Sequence, residues 1–111
     1  MIVLEYNGKL ISENKRLSRM KNGHYYTTKE YKEIKQLYIN SFEKIKLEKP
    51  YKFAIYVYTY KDIDNVLKPI FDAMQEKGII EDDKYIIHLD VRKIIQKRNE
   101  KEKIIVTTLI N

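Results

Sequence analysis

Between residues 61 and 83 the chain reads Lys61-Asp62-Ile63-Asp64-Asn65-Val66-Leu67-Lys68, then Phe71-Asp72-Ala73-Met74, then Gly78-Ile79-Ile80-Glu81-Asp82-Asp83. Two aspartates one residue apart suit a hard divalent cation. In extended chain residues i and i+2 point the same way, so Asp62 and Asp64 can converge on one ion. Mg²⁺ takes oxygen ligands, usually one or two carboxylates completed by waters and a substrate phosphate. The N-terminus of a following helix also favours negative charge at that point. Lys68 falls four residues beyond Asp64, on the same helical face. An ammonium group there can offset the charge that builds on a phosphate in a transition state. Asp72, four residues further on, is placed to orient Lys68 rather than to bind metal.

Other uses of an Asp-x-Asp pair fit less well. A calcium-binding EF-hand loop would need Asp or Asn at position 66 and Gly at 67, where the chain has Val66 and Leu67. An aspartyl phosphotransfer enzyme needs a parallel-sheet domain for which 111 residues leave little room. Helix capping accounts comfortably for one of Asp62, Asp64 and Asn65, but poorly for all three. Asn65 suits a helix cap better than a phosphate contact. The two histidines, His24 and His88, fall in a basic loop and on the polar side of a strand, which argues against a histidine-based site.

Charge is partitioned along the chain. Residues 62–83 hold seven acidic and two basic residues, a balance of −5, within a net charge of +6, so the remainder carries +11. Acids concentrated in a basic surround are what metal-dependent chemistry on a polyanion requires: the acids hold the cation and the surround attracts phosphates. Only four of the 22 basic residues are Arg, and Lys, Ile, Tyr and Asn are abundant together, as an A/T-biased coding sequence would also give. The overall charge is therefore a weaker sign than its distribution. Lys15, Arg16, Arg19 and Lys21, crowded into the N-terminal third, are the candidate phosphate contacts, together with Lys61 and Asn65 beside the aspartates.

With no cysteine, the chain can form neither a disulfide framework nor a thiolate zinc site, and it suits a reducing compartment. It opens without a basic region leading into an apolar stretch, and no apolar run approaches the roughly 18 residues of a membrane span. A cytoplasmic protein associated with DNA, with no membrane partner, is expected.

The elements that must position these residues follow from periodicity. The 43% hydrophobic content and ten tyrosines point to one folded domain spanning residues 1–111. Ile2–Tyr6 reads as a strand ending at the Asn7-Gly8 turn, and residues 9–27 as an exposed basic loop. Thr27 and Glu30 form a capping-box pattern ahead of a helix with Tyr31, Ile34, Tyr38, Phe42 and Ile45 inward. After Pro50, Tyr51–Tyr60 is an aromatic and β-branched central strand, with Phe53, Ile55 and Val57 on one face and Tyr56, Tyr58 and Tyr60 on the other. The tyrosine face suits sheet packing or a dimer interface better than stacking on unpaired bases. A second helix runs through Val66–Lys77 and stops at Gly78. Residues 85–95 alternate as a half-buried strand, and a polar tip, 97–102, leads to a last strand, Ile104–Ile110. The order βαβαββ, ending in a hairpin, predicts an α+β fold: a small mixed sheet with two helices on one face.

Asp-x-Asp-Asn-x-x-Lys, then Phe-Asp-Ala followed by an apolar residue, then Gly and a closing Asp-Asp pair resemble the core signature of the RusA family of Holliday junction resolvases. Ser12-Glu13-Asn14-Lys15-Arg16 through Gly23 and Tyr25 resembles that family's N-terminal basic loop, and the order of elements agrees. The resemblance implies a homodimeric, Mg²⁺-dependent endonuclease, with Mn²⁺ a plausible substitute, that nicks branched, four-way DNA symmetrically. It implies Asp62, Asp64 and Asp83 as the essential acids holding the metal and Lys68 as the catalytic lysine, with Asp82 a lesser ligand or a solvated loop acid. Lys61 stands where the family often has Arg. The rival readings are a non-catalytic DNA-binding module and a nuclease of flaps or other branched DNA.

Asp83 poses a geometric problem. A helix from Asn65 to Lys77 would be about 20 Å long, and five residues beyond Gly78 reach back only about 17 Å. Pro69 is tolerated in a first helical turn but not deeper. A helix that starts near Lys68, or an Asp83 that serves a partner's site, would resolve it.

Overall fold

A computed structural model describes residues 1–109. In chain order the elements are β1 (Ile2–Asn7), β2 (Leu17–Arg19), β3 (Tyr25–Thr27), α1 (Lys29–Ser41), β4 (Tyr51–Thr59), α2 (Ile63–Lys77), β5 (Ile86–Ile95) and β6 (Lys103–Thr108). Short 3-10 turns at Glu13–Lys15 and Asp83–Tyr85 precede β2 and β5. Four strands form one sheet in the order β1-β6-β4-β5, and β2 with β3 forms a separate ribbon. This is the expected α+β fold, a mixed sheet with two helices. The expected final strand was read as running to Ile110, which lies outside the described residues; β6 ends at Thr108.

The terminal hairpin does not form. β5 runs parallel to β4, with α2 as the crossover, and β6 inserts between β4 and β1, antiparallel to both. β4 explains the arrangement. Phe53, Ile55 and Val57 are wholly buried, and a strand that deep needs a partner on each edge to satisfy its backbone. Ile104 and Val106 of β6 are also fully buried, so β6 takes the interior place. β5 is left at the sheet's margin. Its alternation suggested a half-buried strand, but no residue in it is fully buried.

On the helix-covered face, Tyr38 of α1 is the largest fully buried side chain. It meets Tyr6 edge to face at 4.9 Å and accepts a hydrogen bond from the Ile11 N–H at 2.9 Å. Thr28, not Thr27, caps α1, accepting from the Tyr31 N–H at 3.3 Å. Thr27 belongs to β3. The stretch 9–27 is not one exposed loop: Leu10 and Ile11 are buried in the core, and only the β2–β3 ribbon beyond them projects. Each such apolar side chain contributes roughly 1.5–3 kcal/mol on leaving water.

α2 starts at Ile63, with Asp62 at its N-cap position, so the late start near Lys68 is not what the chain adopts. Fifteen residues make it about 22 Å long. Pro69 sits buried within it, where its missing N–H leaves the Asn65 carbonyl without its usual donor in the helical ladder. At the far end Gly78 adopts φ +82°, a left-handed conformation that glycine reaches without penalty. The Gly78 and Ile79 N–H groups then bond back to the Gln75 and Met74 carbonyls at 3.1 and 2.9 Å, a helix-terminating pattern that reverses the chain. Buried Ile79 and Ile80 draw the following residues back along the helix.

Candidate active site

The aspartates sit where the helix begins. Asp62 is in extended backbone at the N-cap and Asp64 in the first turn, both exposed. Asp62 supplies no side-chain cap, and its carboxylate has no partner among the described residues. Asp64 Oδ1 accepts from the Asn65 N–H at 2.9 Å. Asn65 lies inside the helix, so the cap position that sequence reasoning favoured for it belongs to Asp62. Both carboxylates lie in the positive field of the helix N-terminus.

One turn on, Lys68 joins the acids from the two ends of the motif. Its Nζ stands 3.2 Å from Asp72 Oδ1 and 3.4 Å from Asp83 Oδ2. Asp72 is in turn approached by Tyr31 Oη, 3.5 Å from its second oxygen. Asp83 is brought back along α2 by the glycine reversal and by its N–H, which donates to Gln75 Oε1 at 3.1 Å. The hydrogen bond to Asp72, with the Asp72 and Asp83 charges, raises the Lys68 ammonium above its ordinary value of 10.5 against a desolvation effect that would lower it. Lys68 is therefore a standing cation at neutral pH, suited to meeting developing negative charge and unsuited to taking a proton.

As the side chains stand, no three acidic or imidazole groups among the described residues lie close enough to hold an ion. Asp83 is with Lys68, and Asp64 is one turn N-terminal to it. The donor set is nonetheless that of a hard cation: carboxylate oxygens with no thiol in the chain, one of them unpartnered at a helix N-terminus. Asp82 is occupied elsewhere, capping the 3-10 turn by accepting from the Lys84 N–H at 3.0 Å, a bond that also holds its carboxyl below the ordinary range.

On the other side of Asp62 lies a groove lined by Asn14, Lys15, Tyr60, Lys61, Asn65 and Arg98, among others. Lys15 and Asn65 were expected to meet phosphate, and both open onto it. Lys61 does not reach outward: its ammonium is 2.6 Å from Glu102 Oε1 and donates to the Leu10 carbonyl. Glu102, only 6% exposed, also accepts from Thr59 Oγ1 at 2.6 Å and from the Leu10 N–H at 3.3 Å. Arg16 is paired with Glu13 at 2.8 Å, whereas Arg19 and Lys21 are exposed on the β2–β3 ribbon. Tyr60 faces the groove with Arg98 over its ring at 5.4 Å, and Tyr56 is exposed on the open face of the sheet. His24 and His88 are exposed, and His88 lines a groove with Asp83.

Sequence reasoning missed Arg98 and Glu102. Both fall in the polar tip that reads as a turn: Arg98 shares the groove with Asp62 just past the end of β5, where Gln96 N–H still bonds the Thr59 carbonyl of β4, and Glu102 meets Lys61 just before β6 begins. The basic run Lys97, Arg98, Lys101 was the available signal. Compared with protein families, residues 8–107 match the one described as Endodeoxyribonuclease RusA. No curated protein matches the chain.

Proposed function

Because the chain belongs to the RusA family of endodeoxyribonucleases, with the match spanning residues 8–107, we propose that it resolves Holliday junctions. It does so by Mg²⁺-dependent hydrolysis, as a two-fold dimer that places one site near each of two opposed strands. It acts in the cytoplasm, on chromosomal or phage DNA. The observation that carries the reading is the stripe Asp64, Lys68 and Asp72 along α2, continuous with unpartnered Asp62 and joined by Asp83.

Asp62, Asp64 and Asp83 are the groups that would hold Mg²⁺, or Mn²⁺ in its place. Such an ion would supply polarisation of a phosphoryl oxygen and would make a bound water more acidic. The chain's own contributions are separate. Lys68, held by Asp72, presents its ammonium to the non-bridging or leaving oxygens. Lys15, Asn65 and Arg98 bind the backbone on the far side of Asp62 and fix the strand's register over the carboxylates.

The test is a labelled four-way junction incubated with and without Mg²⁺, with Asp64→Asn as control. Paired symmetric nicks that need the ion, and a variant that binds the junction but cuts it about 10³-fold more slowly, are expected. No cleavage by the wild type with Mg²⁺, together with binding that Asp64→Asn leaves unchanged, would reduce the protein to a DNA-binding module whose acids serve only the helix, and cleavage left intact in the variant would remove Asp64 from the site.

A further inference from the structure

Exposed sheet edges are normally protected, by short strands, lysines, prolines, bulges or a covering segment, because their free N–H and C=O groups will pair with any other strand. β5 carries one lysine, Lys93, but is neither short nor interrupted by proline. It is ten residues long and has β4 on one side only. Ile87, Leu89, Ile94 and Ile95 are 62%, 40%, 39% and 82% exposed, a concentration of apolar surface that a lone edge does not call for.

The sequence of β5 says what pairs with it. An antiparallel two-fold axis at Val91 sets each residue 91−k against residue 91+k of the other copy. Asp90 then faces Arg92 twice, once on each side of the axis. On the helix-side face Ile87 lies against Ile95, joining the two most exposed apolar residues of the strand. Within one chain Asp90 and Arg92 reach only each other, at 3.9 Å, and both are largely solvated. Axes at Asp90 or Arg92 instead set like charge on like. Among axes at Asp90, Val91 and Arg92, only the one at Val91 sets opposite charges against each other, and it alone joins Ile87 to Ile95.

We propose that two copies of this chain join edge to edge through β5, antiparallel about Val91, making one continuous eight-stranded sheet. The inference rests on the dimer assumed in the proposed function and specifies its surface. It also has a consequence for the site. Asp83 lies in the turn immediately before β5, beside a groove formed with Phe71, Ile86, Ile87 and Leu89. In this register the C-terminal end of β5 from one protomer runs along that groove of its partner, so the two sites become coupled through the junction between copies.

Asp90→Arg and Arg92→Asp test both surface and register. Each alone places like charges opposite one another at two positions, and sedimentation should show dimerisation weakened by at least about tenfold. Mixed one to one, the variants place Arg against Asp at both positions, and the heterodimer should form with at least the wild-type affinity. Unchanged melting of the separate variants at a concentration where the wild type is monomeric confirms that folding is intact. If the wild type is a dimer and neither variant alters it, the dimer lies elsewhere and the β5 pairing is overturned while the dimeric nuclease stands. If the wild type stays monomeric at every concentration, both the pairing and the dimer are overturned. Weakened variants that fail to rescue each other overturn the register.

Discussion

Two lysine–carboxylate groups lie seven residues apart in this chain and behave oppositely. Lys61 and Glu102 form an ion pair with side chains 14% and 5% exposed, completed by Thr59 and by both backbone groups of Leu10. Lys68, with Asp72 and Asp83, forms another with side chains 49%, 28% and 32% exposed and contacts of 3.2 and 3.4 Å. The first ties the end of β4, the start of β6 and the N-terminal segment together. The second is loose, solvated and open to exchange. Net charge does not distinguish them; the difference is in what each ion would meet if its partner left. Lys61 would be stranded in the interior, whereas Lys68 would meet water or a phosphate.

The sharpest way to break that comparison is to remove one carboxylate from the buried group. Glu102→Ala leaves the Lys61 ammonium, Thr59 and the Leu10 N–H without their acceptor. Loss of one partner from a buried pair typically costs about 3–5 kcal/mol, and in a domain of this size about 4 °C of midpoint per kcal/mol. A fall of roughly 12–20 °C in thermal midpoint is expected by calorimetry. A fall of less than about 3 °C would show that the pair is no more structural than the exposed one.

The exposed group should give the reverse pattern. Lys68→Met ought to change stability by no more than about 0.5 kcal/mol, since exposed pairs contribute little. Junction cleavage should nevertheless fall by about 10²–10³, with binding retained. The pH dependence has a definite sign. Because the Lys68 ammonium is raised above 10.5, whatever its pairing adds to stability is fully present below that pH and is lost only as pH rises through the folded value. In the metal-free protein the Lys68 charge is constant between about pH 6 and 9. A cleavage profile that loses a basic limb in that range on Lys68→Met would assign the lysine a proton-transfer role and contradict this reading.

How far the sequence disclosed this depends on whether a signal was local or spatial. The α2 motif was legible because residues 64, 68 and 72 share a helix face by spacing alone, and the orientation of Lys68 by Asp72 follows from it. The alternation in β4 likewise set its buried face. The start of α2 was misjudged because Pro69 counts against a helix locally, while buried Val66, Leu67, Ile70 and Met74 hold the helix together around it. Lys61 was read as a phosphate contact because its partner is 41 residues away, on a strand whose neighbours depend on the whole sheet. The tip 97–102 looks like an ordinary turn for the same reason: the parallel pairing of β5 with β4, which ends with Ile95 beside Thr59, is what brings Arg98 to the groove beside Asp62.

The smallest effect expected is also the one that separates the two lysines on DNA. Each phosphate contact contributes a released counterion, so the slope of log affinity against log salt changes by about 0.9 per contact removed from duplex. Lys15 and Arg98 line the groove next to Asp62 without being committed to the interior, and replacing both with Ala should lower the slope by about 1.8 while weakening binding only modestly. Lys61→Gln, which can still donate to Glu102, should leave the slope unchanged because its charge already faces a carboxylate rather than the strand. The measurement is junction binding in Ca²⁺ across a range of salt. A slope that falls with Lys61→Gln and not with the groove pair would mean that the ion pair opens on DNA, and the division between a fixed lysine and an exchangeable one would then fail.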